Sequence, residues 1–275
     1  MPDEGKVEWA KNVRVGYLDQ HSTLTKGMTI ESVLKSAFAW LFELEENMNQ
    51  ICDRLGEAAP DEMDAMMYKI EGEDLYLIGT SEHSMIGKFI DTINDEEKLP
   101  YTLTSYSPCF RKEKGAHGIE ERGVYRIHQF EKQEMIVVCK PEESKTWYDK
   151  LWQNTVDLFR SLDIPVRTLE CCSGDLADLK VKSCDVEAWS PRQKKYFEVG
   201  SCSNLGDAQA RRLKIRVKGS DGNKYFAHTL NNTVVAPPRM LIAFLENNLN
   251  EDGSVNVPKA LQPYMGGKEK LVPLK

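Results

Sequence analysis

Residues 107–139 have the pattern of one long β-hairpin, and this feature limits the folds open to the chain more than any other. Two strand-like runs flank a loop that contains Gly115, Gly118 and Gly123, and glycines of this kind permit the turns of such a loop. After residue 70 the other strand-like runs are separated by Gly, Pro and Asn turns, and few of them alternate with helices as βαβ units. The pattern therefore predicts an α+β fold, an antiparallel sheet flanked by helices.

Apolar periodicity predicts where the helices lie. Three of them fall around the sheet, near residues 81–93, 142–162 and 240–250. A longer amphipathic stripe predicts a helix over residues 29–55, followed by a short one over residues 60–67. The chain is therefore expected to have a mainly helical N-terminal segment and a domain boundary near residues 60–70.

Composition excludes several classes of protein. The 36 basic and 43 acidic residues give a net charge of −7, which argues against a broad surface for binding polyanions. An odd count of seven cysteines without a paired C-x-x-C, and five histidines without zinc-ligand spacing, indicate free thiols rather than a disulfide framework or a structural zinc. No apolar stretch reaches the roughly 18 residues of a membrane span, and the first residues lack the apolar core of a signal peptide. We therefore expect no membrane association and a cytoplasmic location.

Strand periodicity sorts the polar side chains of the hairpin, because residues two apart in a strand share a face. Arg111 and Glu113 are expected to share a face of the first strand. One nearly all-polar face of the second strand would carry Arg126, His128, Phe130, Lys132 and Glu134. At about 3.3 Å per residue, Phe130 and Glu134 stand roughly 13 Å apart, so an aromatic plane and a carboxylate could hold opposite ends of one extended ligand.

These residue types suit a nucleotide, but the pattern does not decide the matter. Guanidinium groups bind phosphate oxygens bidentately, and an aromatic face suits a purine. Neither G-x-x-x-x-G-K-[ST] nor G-x-G-x-x-G occurs in the chain, so a bound nucleotide would need another way to hold its phosphates. A hairpin that merely faces solvent would also be charged, and both interpretations stay open at this point.

Five segments that follow the family's order along the chain carry a family resemblance. The run CFRKE, the glycine-rich loop and RIHQFEKQE together resemble the second signature motif of class II aminoacyl-tRNA synthetases, in the form found in seryl-tRNA synthetases. The TSE of residues 80–82 is similar to the serine-binding loop of that family, and DVEAW and EVGSCSN are similar to its metal and ATP strands. Residues 228–247 resemble its third motif. The resemblance covers residues 68–267, with Gly200 at a position where the family usually has serine.

The resemblance implies an enzyme, a serine–tRNA ligase that activates serine with ATP and Mg²⁺. The ATP-binding residues would be Arg111, Glu113, Arg126, Phe130, Glu198, Ser201 and Arg239. The serine-binding residues would be Thr80, Ser81, Glu82, Arg111, Glu134 and Thr233. Glu198 and Ser201 would also hold Mg²⁺, and Arg111 and Arg239 would be catalytic. This assignment suits the chemistry, because in-line attack of a carboxylate on the α-phosphorus needs neutralised phosphate charge more than it needs a base.

Other interpretations of single residues come from their local positions. Thr80 and Glu82 could be the N-cap and a first-turn acid of the following helix. Glu198 could lie on a solvated strand face, and His128 is expected to be packed or hydrogen-bonded rather than catalytic. The cysteines are expected to be small buried side chains.

Residues 1–66 do not resemble this family. We find neither the coiled coil that holds tRNA nor the first motif that builds the family's dimer interface, so the homodimer and the docking of tRNA(Ser) are not expected from this segment. It instead resembles part of an ABC-F type ATP-binding protein, with Gln20 at the position of that family's Q-loop glutamine. The predicted domains are therefore an ABC-F-like fragment over residues 1–66 and a synthetase-like core over residues 67–275, with tRNA transfer slower than adenylate formation.

Three alternative functions stay open on the sequence. The same core could activate an amino acid and load a carrier protein. It could be a synthetase-like protein that binds ATP without catalysis. Residues 1–66 could also act as an ABC-F-like binding module.

Overall fold

The computed structural model describes residues 29, 66–113 and 123–273, and the structural statements below concern this part of the chain. The chain divides into two units, residues 1–59 and 60–275. The helices predicted over residues 29–55 and 60–67 lie outside the described residues, apart from residue 29 and residues 66–67. Gln20 is also outside them, so the domain division and the ABC-F resemblance stay predictions.

A six-stranded antiparallel sheet organises the second unit. Its strands are β2 (Tyr101–Phe110), β3 (Gln129–Cys139), β4 (Val166–Glu170), β5 (Lys182–Ser190), β6 (Lys195–Asn204) and β9 (His228–Val235). Their order across the sheet is β2-β3-β9-β6-β5-β4, and every neighbouring pair is antiparallel. The α+β fold with an antiparallel sheet flanked by helices is therefore confirmed.

Two smaller sheets accompany the large one. Strands β1 (Ile93–Asp95), β7 (Arg216–Lys218) and β8 (Lys224–Phe226) form a three-stranded sheet, in which β1 and β7 are parallel. Strands β10 (Val255–Asn256) and β11 (Lys270–Leu271) form an antiparallel pair. In the sequence, β1 precedes β2, strands β7 and β8 lie between β6 and β9, and β10 and β11 follow β9.

The described helices are α1 (Ser81–Gly87), α2 (Ser144–Ser161), α3 (Ala208–Leu213) and α4 (Pro237–Asn248). The prediction for residues 142–162 is confirmed by α2. The prediction for residues 81–93 is wrong in its second half, because the chain turns after Gly87 and Asp91 has a φ of 52°, which a right-handed helix does not allow. Helix α4 begins earlier than predicted, since prolines in the first turn need no backbone hydrogen bond.

The core lies where α2 covers the sheet. Buried residues of α2 recur at helical spacing and include Leu151, Val156 and Phe159, which pack with buried residues of β5 and β6 such as Val186 and Val199. Each fully buried aliphatic or aromatic side chain of this kind contributes about 1.5–3 kcal/mol. None of the described helices is long and apolar enough to cross a membrane.

The six cysteines among the described residues are free, but not all of them are buried. Those that lie within strands are buried, namely Cys109, Cys139, Cys184 and Cys202. The prediction of buried small side chains is wrong for Cys171, which is half-buried, and for Cys172, which is exposed. These two follow the edge strand β4, which pairs with β5 on one side and with no other described strand on its outer side. Cys52 lies outside the described residues.

Candidate active site

A cleft of about 300 Å³ opens at the hairpin end of the sheet. It is lined by the segment after β2, the start of β3, the middle of β6 and the N-terminus of α4. The predicted site residues in its lining are Arg111, Glu113, Arg126, Phe130, Glu198, Thr233 and Arg239. The structure therefore brings Arg239 together with Arg111, Arg126 and Phe130, from which it lies more than a hundred residues away in the sequence.

The hairpin residues reach this cleft differently from the prediction. Strand β2 ends at Phe110 and β3 begins at Gln129, so the predicted strand faces for Arg111, Glu113, Arg126 and His128 are wrong. Glu113 has a φ of 49°, in the left-handed region, which ends the extended chain. The alternation of faces applies only to the part of the second strand from residue 130 onwards.

Arg111 is held beside Phe130 at one wall of the cleft. Its backbone N–H donates to the His128 carbonyl at 2.9 Å, and its Nε donates to the Gly79 carbonyl at 3.0 Å. The guanidinium carbon lies 5.3 Å from the centre of the Phe130 ring. These contacts fix the direction of the guanidinium while it lines the cleft, as binding an anion there requires.

Glu113 and Arg126 form an ion pair at the base of the hairpin loop. Arg126 Nη1 lies 2.9 Å from Glu113 Oε2, and both side chains are largely buried. His128 lies close by in the sequence, and its Nδ1 forms a hydrogen bond with the Tyr68 hydroxyl at 2.7 Å. This contact agrees with the expectation of a hydrogen-bonded rather than catalytic histidine.

Arg239 also lines the cleft and lies at the start of α4. Its Nη1 lies 3.0 Å from Glu198 Oε2, and its guanidinium carbon lies 4.5 Å from the centre of the Tyr125 ring. Burial raises the pKa of the Tyr125 hydroxyl above its usual value. Both arginines therefore line the cleft, each against an aromatic ring.

A β-bulge places Glu198 and Ser201 on one face of β6. Glu198 pairs with Glu187 of β5, whereas Ser201 pairs with Asp185, so Val199 is an extra residue between them. Residues three apart would otherwise point to opposite faces of a strand. Burial raises the pKa of the Asp185 carboxyl, and the negative charge of Glu198 adds to this effect.

This face suits a hard divalent cation. Carboxylate and hydroxyl oxygens are the ligands that Mg²⁺ prefers, and it is usually held by one or two carboxylates together with substrate phosphates. Glu198 provides a carboxylate that is 41% exposed, and Ser201 provides a half-buried hydroxyl on the same face. Within residues 66–113 and 123–273 no group of three or more His, Cys, Asp or Glu side chains could hold a metal ion by itself. The donor set therefore fits Mg²⁺ bound jointly with phosphates.

A buried polar network adjoins the cleft on the other side. Lys132 Nζ donates to Thr80 Oγ1 at 2.8 Å and lies 2.7 Å from Glu134 Oε2. Thr233 Oγ1 donates to the same carboxylate oxygen at 3.2 Å. Lys132 and Thr233 also line the cleft, so the network connects it to the predicted serine-binding residues Thr80 and Glu134.

The TSE segment combines a structural role with this network. Thr80 is the N-cap of α1, accepting a hydrogen bond from the Glu82 backbone N–H at 3.2 Å, so the N-cap interpretation is confirmed. Glu82 accepts a hydrogen bond from Gln209 at 3.2 Å. Ser81 is only 3% exposed, and its hydroxyl has no hydrogen-bond partner among the described residues. Its role in binding serine stays a prediction.

Burial raises the pKa of the Glu134 carboxyl above its usual value, and neighbouring Lys132 opposes this shift. Glu82 adds a repulsive negative charge that raises the pKa further. The pairing between β3 and β9 changes register at this point, with Glu134 opposite Thr233. The carboxylate is therefore a desolvated group whose charge depends on a few named partners.

Four residues of this region have no role in the sequence-based assignment: Tyr125, Lys132, Asp185 and Gln209. Lys132 could have been found from its place on the polar face between Phe130 and Glu134. Asp185 and Gln209 lie in segments that carry the family resemblance. Tyr125 gives no signal in the sequence, because its contact with Arg239 joins two distant segments.

Gly200 offers a test of the packing behind this site. A Cβ atom at this position would lie 2.6 Å from the Thr233 carbonyl oxygen. We expect Gly200→Ala to destabilise the fold by about 1–3 kcal/mol, seen as a lower midpoint of thermal unfolding.

Gly174→Ala is the control for this variant, since no atom lies within 4 Å of a Cβ at that position. We expect its melting midpoint to stay close to that of the parent. Equal stability of Gly200→Ala and the parent would contradict the close approach of β6 and β9.

Comparison with known proteins identifies the fold's family. Residues 67–248 match the family model of the tRNA synthetase class II core domain (G, H, P, S and T). The chain belongs to this class II synthetase family. The resemblance inferred from the sequence motifs is therefore confirmed.

Individual relatives of this synthetase core carry serine-specific names. A serine–tRNA ligase of Methanospirillum hungatei JF-1 is 47% identical over 213 residues, which are 77% of this chain and 50% of that protein. The crystal structure of seryl-tRNA synthetase from Pyrococcus horikoshii complexed with ATP has a TM-score of 0.74 and 44% identity, covering 79% of this chain and 48% of that one.

A eukaryotic structure is similar over the same region. The cytoplasmic serine–tRNA ligase of Naegleria fowleri, in complex with AMP, has a TM-score of 0.72 and 38% identity, covering 79% of this chain and 52% of that one. The chain spans about half the length of the curated relatives it matches.

Proposed function

We propose that the core activates serine with ATP and Mg²⁺ to form seryl-adenylate, and that this activity serves the ligation of serine to tRNA(Ser). The observation that carries the proposal is the cleft lined by both Arg111 and Arg239 and joined through Lys132 and Thr233 to the buried Glu134. The end with the arginines suits a nucleoside triphosphate, and the end with Glu134 suits a small amino acid that carries a hydroxyl. Relatives with the same core are named serine–tRNA ligases, and two were solved with ATP or AMP.

In this proposal the nucleotide lies along the hairpin side of the cleft. Phe130 stacks against adenine and Glu113 contacts the adenine end. Arg111 binds the α-phosphate, and Arg239 binds the phosphates from the other side. Glu198 and Ser201 would hold Mg²⁺, which, when bound with ATP, neutralises part of the phosphate charge.

The reaction is an in-line displacement at the α-phosphorus. An oxygen of the serine carboxylate forms a bond to this phosphorus, and the bond to the β-phosphate oxygen breaks, so pyrophosphate leaves with the bonding electron pair. Charge grows on the phosphate oxygens in the transition state, and two fixed guanidinium groups stabilise it. No proton transfer to a protein base is needed, because the attacking carboxylate is already ionised.

The serine end of the site orients the substrate. Glu82 and Thr80 surround its ammonium, and Glu134 and Thr233 receive its hydroxyl. The hydrogen-bonded network around Glu134 exists before the substrate arrives, so little ordering is needed on binding. The subsequent transfer to tRNA(Ser), slower than adenylate formation, and a cytoplasmic location belong to the same proposal.

Serine-dependent exchange of pyrophosphate into ATP tests the proposal. The full chain should catalyse exchange with serine and Mg²⁺, and not with alanine at the same concentration. ATP binding without exchange for any amino acid would instead favour the non-catalytic alternative. Transfer of the activated serine to a phosphopantetheinyl carrier in preference to tRNA(Ser) would favour the carrier-loading alternative.

A further inference from the structure

Lys132 is an ammonium group buried beside the proposed serine site. Its side chain is 9% exposed, and that of its partner Glu134 is 3% exposed. A charged group so far from water persists only where opposite charge and hydrogen bonds replace its hydration. Both requirements are met here, since Nζ lies 2.7 Å from Glu134 Oε2 and donates to Thr80 Oγ1 at 2.8 Å.

The two carboxylates of the proposed serine site are therefore not equivalent. Glu134 has a cation of the protein itself within ion-pair distance. Glu82 is half-buried, and the side chain that donates to it is the neutral amide of Gln209. The Glu134 end is thus close to electrically neutral as a unit, whereas the hydrogen bond that Glu82 accepts from Gln209 brings no positive charge to that end.

This difference matters because serine presents two different groups. Its ammonium is attracted by a carboxylate that is not paired with a cation of the protein. Its hydroxyl needs a hydrogen-bond acceptor that can bind a neutral donor. A carboxylate already paired with an ammonium still has free lone pairs, and it accepts a hydrogen bond without attracting a second cation.

We propose that Lys132 is a specificity-determining positioning residue, which neutralises Glu134 so that this end of the site accepts a neutral hydroxyl and excludes a cation. The inference rests on the proposed function, because it assigns the ends of the same serine site. It predicts that the site rejects an amino acid that carries an ammonium where serine carries its hydroxyl, since that group would face Lys132.

L-2,3-diaminopropionate is the probe for this prediction, because it replaces the serine hydroxyl with an amino group of similar size. Lys132→Met removes the charge and keeps the length of the side chain. In pyrophosphate exchange we expect the variant to raise the serine KM about tenfold or more, with the ATP KM nearly unchanged. We expect the preference for serine over diaminopropionate to fall about tenfold or more, because the repulsion is gone.

Two control variants separate this effect from general damage. Lys98→Met breaks an exposed lysine–carboxylate pair with Asp95 on another part of the surface, and we expect both substrate preferences to match the parent. Lys132→Arg keeps the positive charge, so it should keep the rejection of diaminopropionate even if the larger group slows the reaction. Calorimetric binding of serine and diaminopropionate to each variant provides a readout that does not depend on turnover.

The outcomes distinguish this inference from the function on which it rests. A parent chain that does not exchange with serine overturns the proposed function. A parent that exchanges, with a Lys132→Met variant that keeps its serine KM and its selectivity, overturns the role of Lys132. Loss of the rejection in Lys132→Arg overturns it as well. If Lys132→Met does not fold, Lys132→Gln, which keeps a donor but no charge, carries the same test.

Discussion

Arg111→Ala is expected to lower the rate of serine-dependent pyrophosphate exchange about a hundredfold, which corresponds to roughly 3 kcal/mol of transition-state stabilisation. The guanidinium is fixed in direction by its bond to the Gly79 carbonyl and by the Phe130 ring. A fixed charge stabilises a developing negative charge without reorganisation, so its removal should act on the chemical step. The measurement is steady-state exchange with saturating ATP and serine.

Arg167→Ala is the matched control for Arg111→Ala. Arg167 likewise lies against an aromatic ring, that of Tyr196 at 4.5 Å, and it pairs with the Glu187 carboxylate, but it lies on the edge strand β4. We expect its exchange rate to stay within about twofold of the parent, as is usual for exposed ion pairs. An Arg111→Ala variant as fast as the parent would rule out the assignment of Arg111 to the α-phosphate.

Glu134→Ala is expected to lower the kcat/KM for serine more than a hundredfold, since roughly 3 kcal/mol or more is lost with a buried charged acceptor. The parent should prefer serine to alanine by about 10⁴, because a site built to bind a hydroxyl leaves buried groups unpaired with the analogue. The variant should lose most of this preference. Exchange kinetics with both amino acids give the ratio directly.

Glu131→Ala controls for this change, because Glu131 lies on the same strand with its side chain exposed and bonded to the Tyr106 hydroxyl. We expect its serine preference to equal that of the parent. Thermal unfolding of Glu134→Ala is measured alongside, because the substitution leaves Lys132 as a buried charge without its partner. A parent chain that activates alanine within about tenfold of serine would contradict a hydroxyl-reading site.

Local patterns in the sequence were sufficient to predict the main elements of the fold. The hairpin, the antiparallel sheet and helix α2 follow from periodicities of two and 3.6 residues, which reflect only which side of an element is buried. Predictions failed where single backbone angles end an element, as at Glu113 and Asp91, both with positive φ. Such angles depend on the packing around the turn, which a periodic pattern does not contain.

The residue types of the candidate site could also be predicted from the sequence. They are arginines, carboxylates and an aromatic residue, and they lie in the family motifs. The tertiary structure decided which of them meet. Arg111 and Arg239 line one cleft, because the antiparallel sheet brings the hairpin beside the strand that leads into α4. No spacing along the chain indicates this meeting of distant segments.

Two features of the site depend on tertiary structure alone. Glu198 and Ser201 share a face because β6 contains an extra residue opposite β5, and a bulge is defined only by the strand that pairs with it. Lys132 pairs with Glu134 in a buried environment, and alternation along β3 predicts that they share a face but not that water is excluded. Sequence thus determined which groups are available, whereas their charge balance depends on strand pairing and burial, which set distance and solvation.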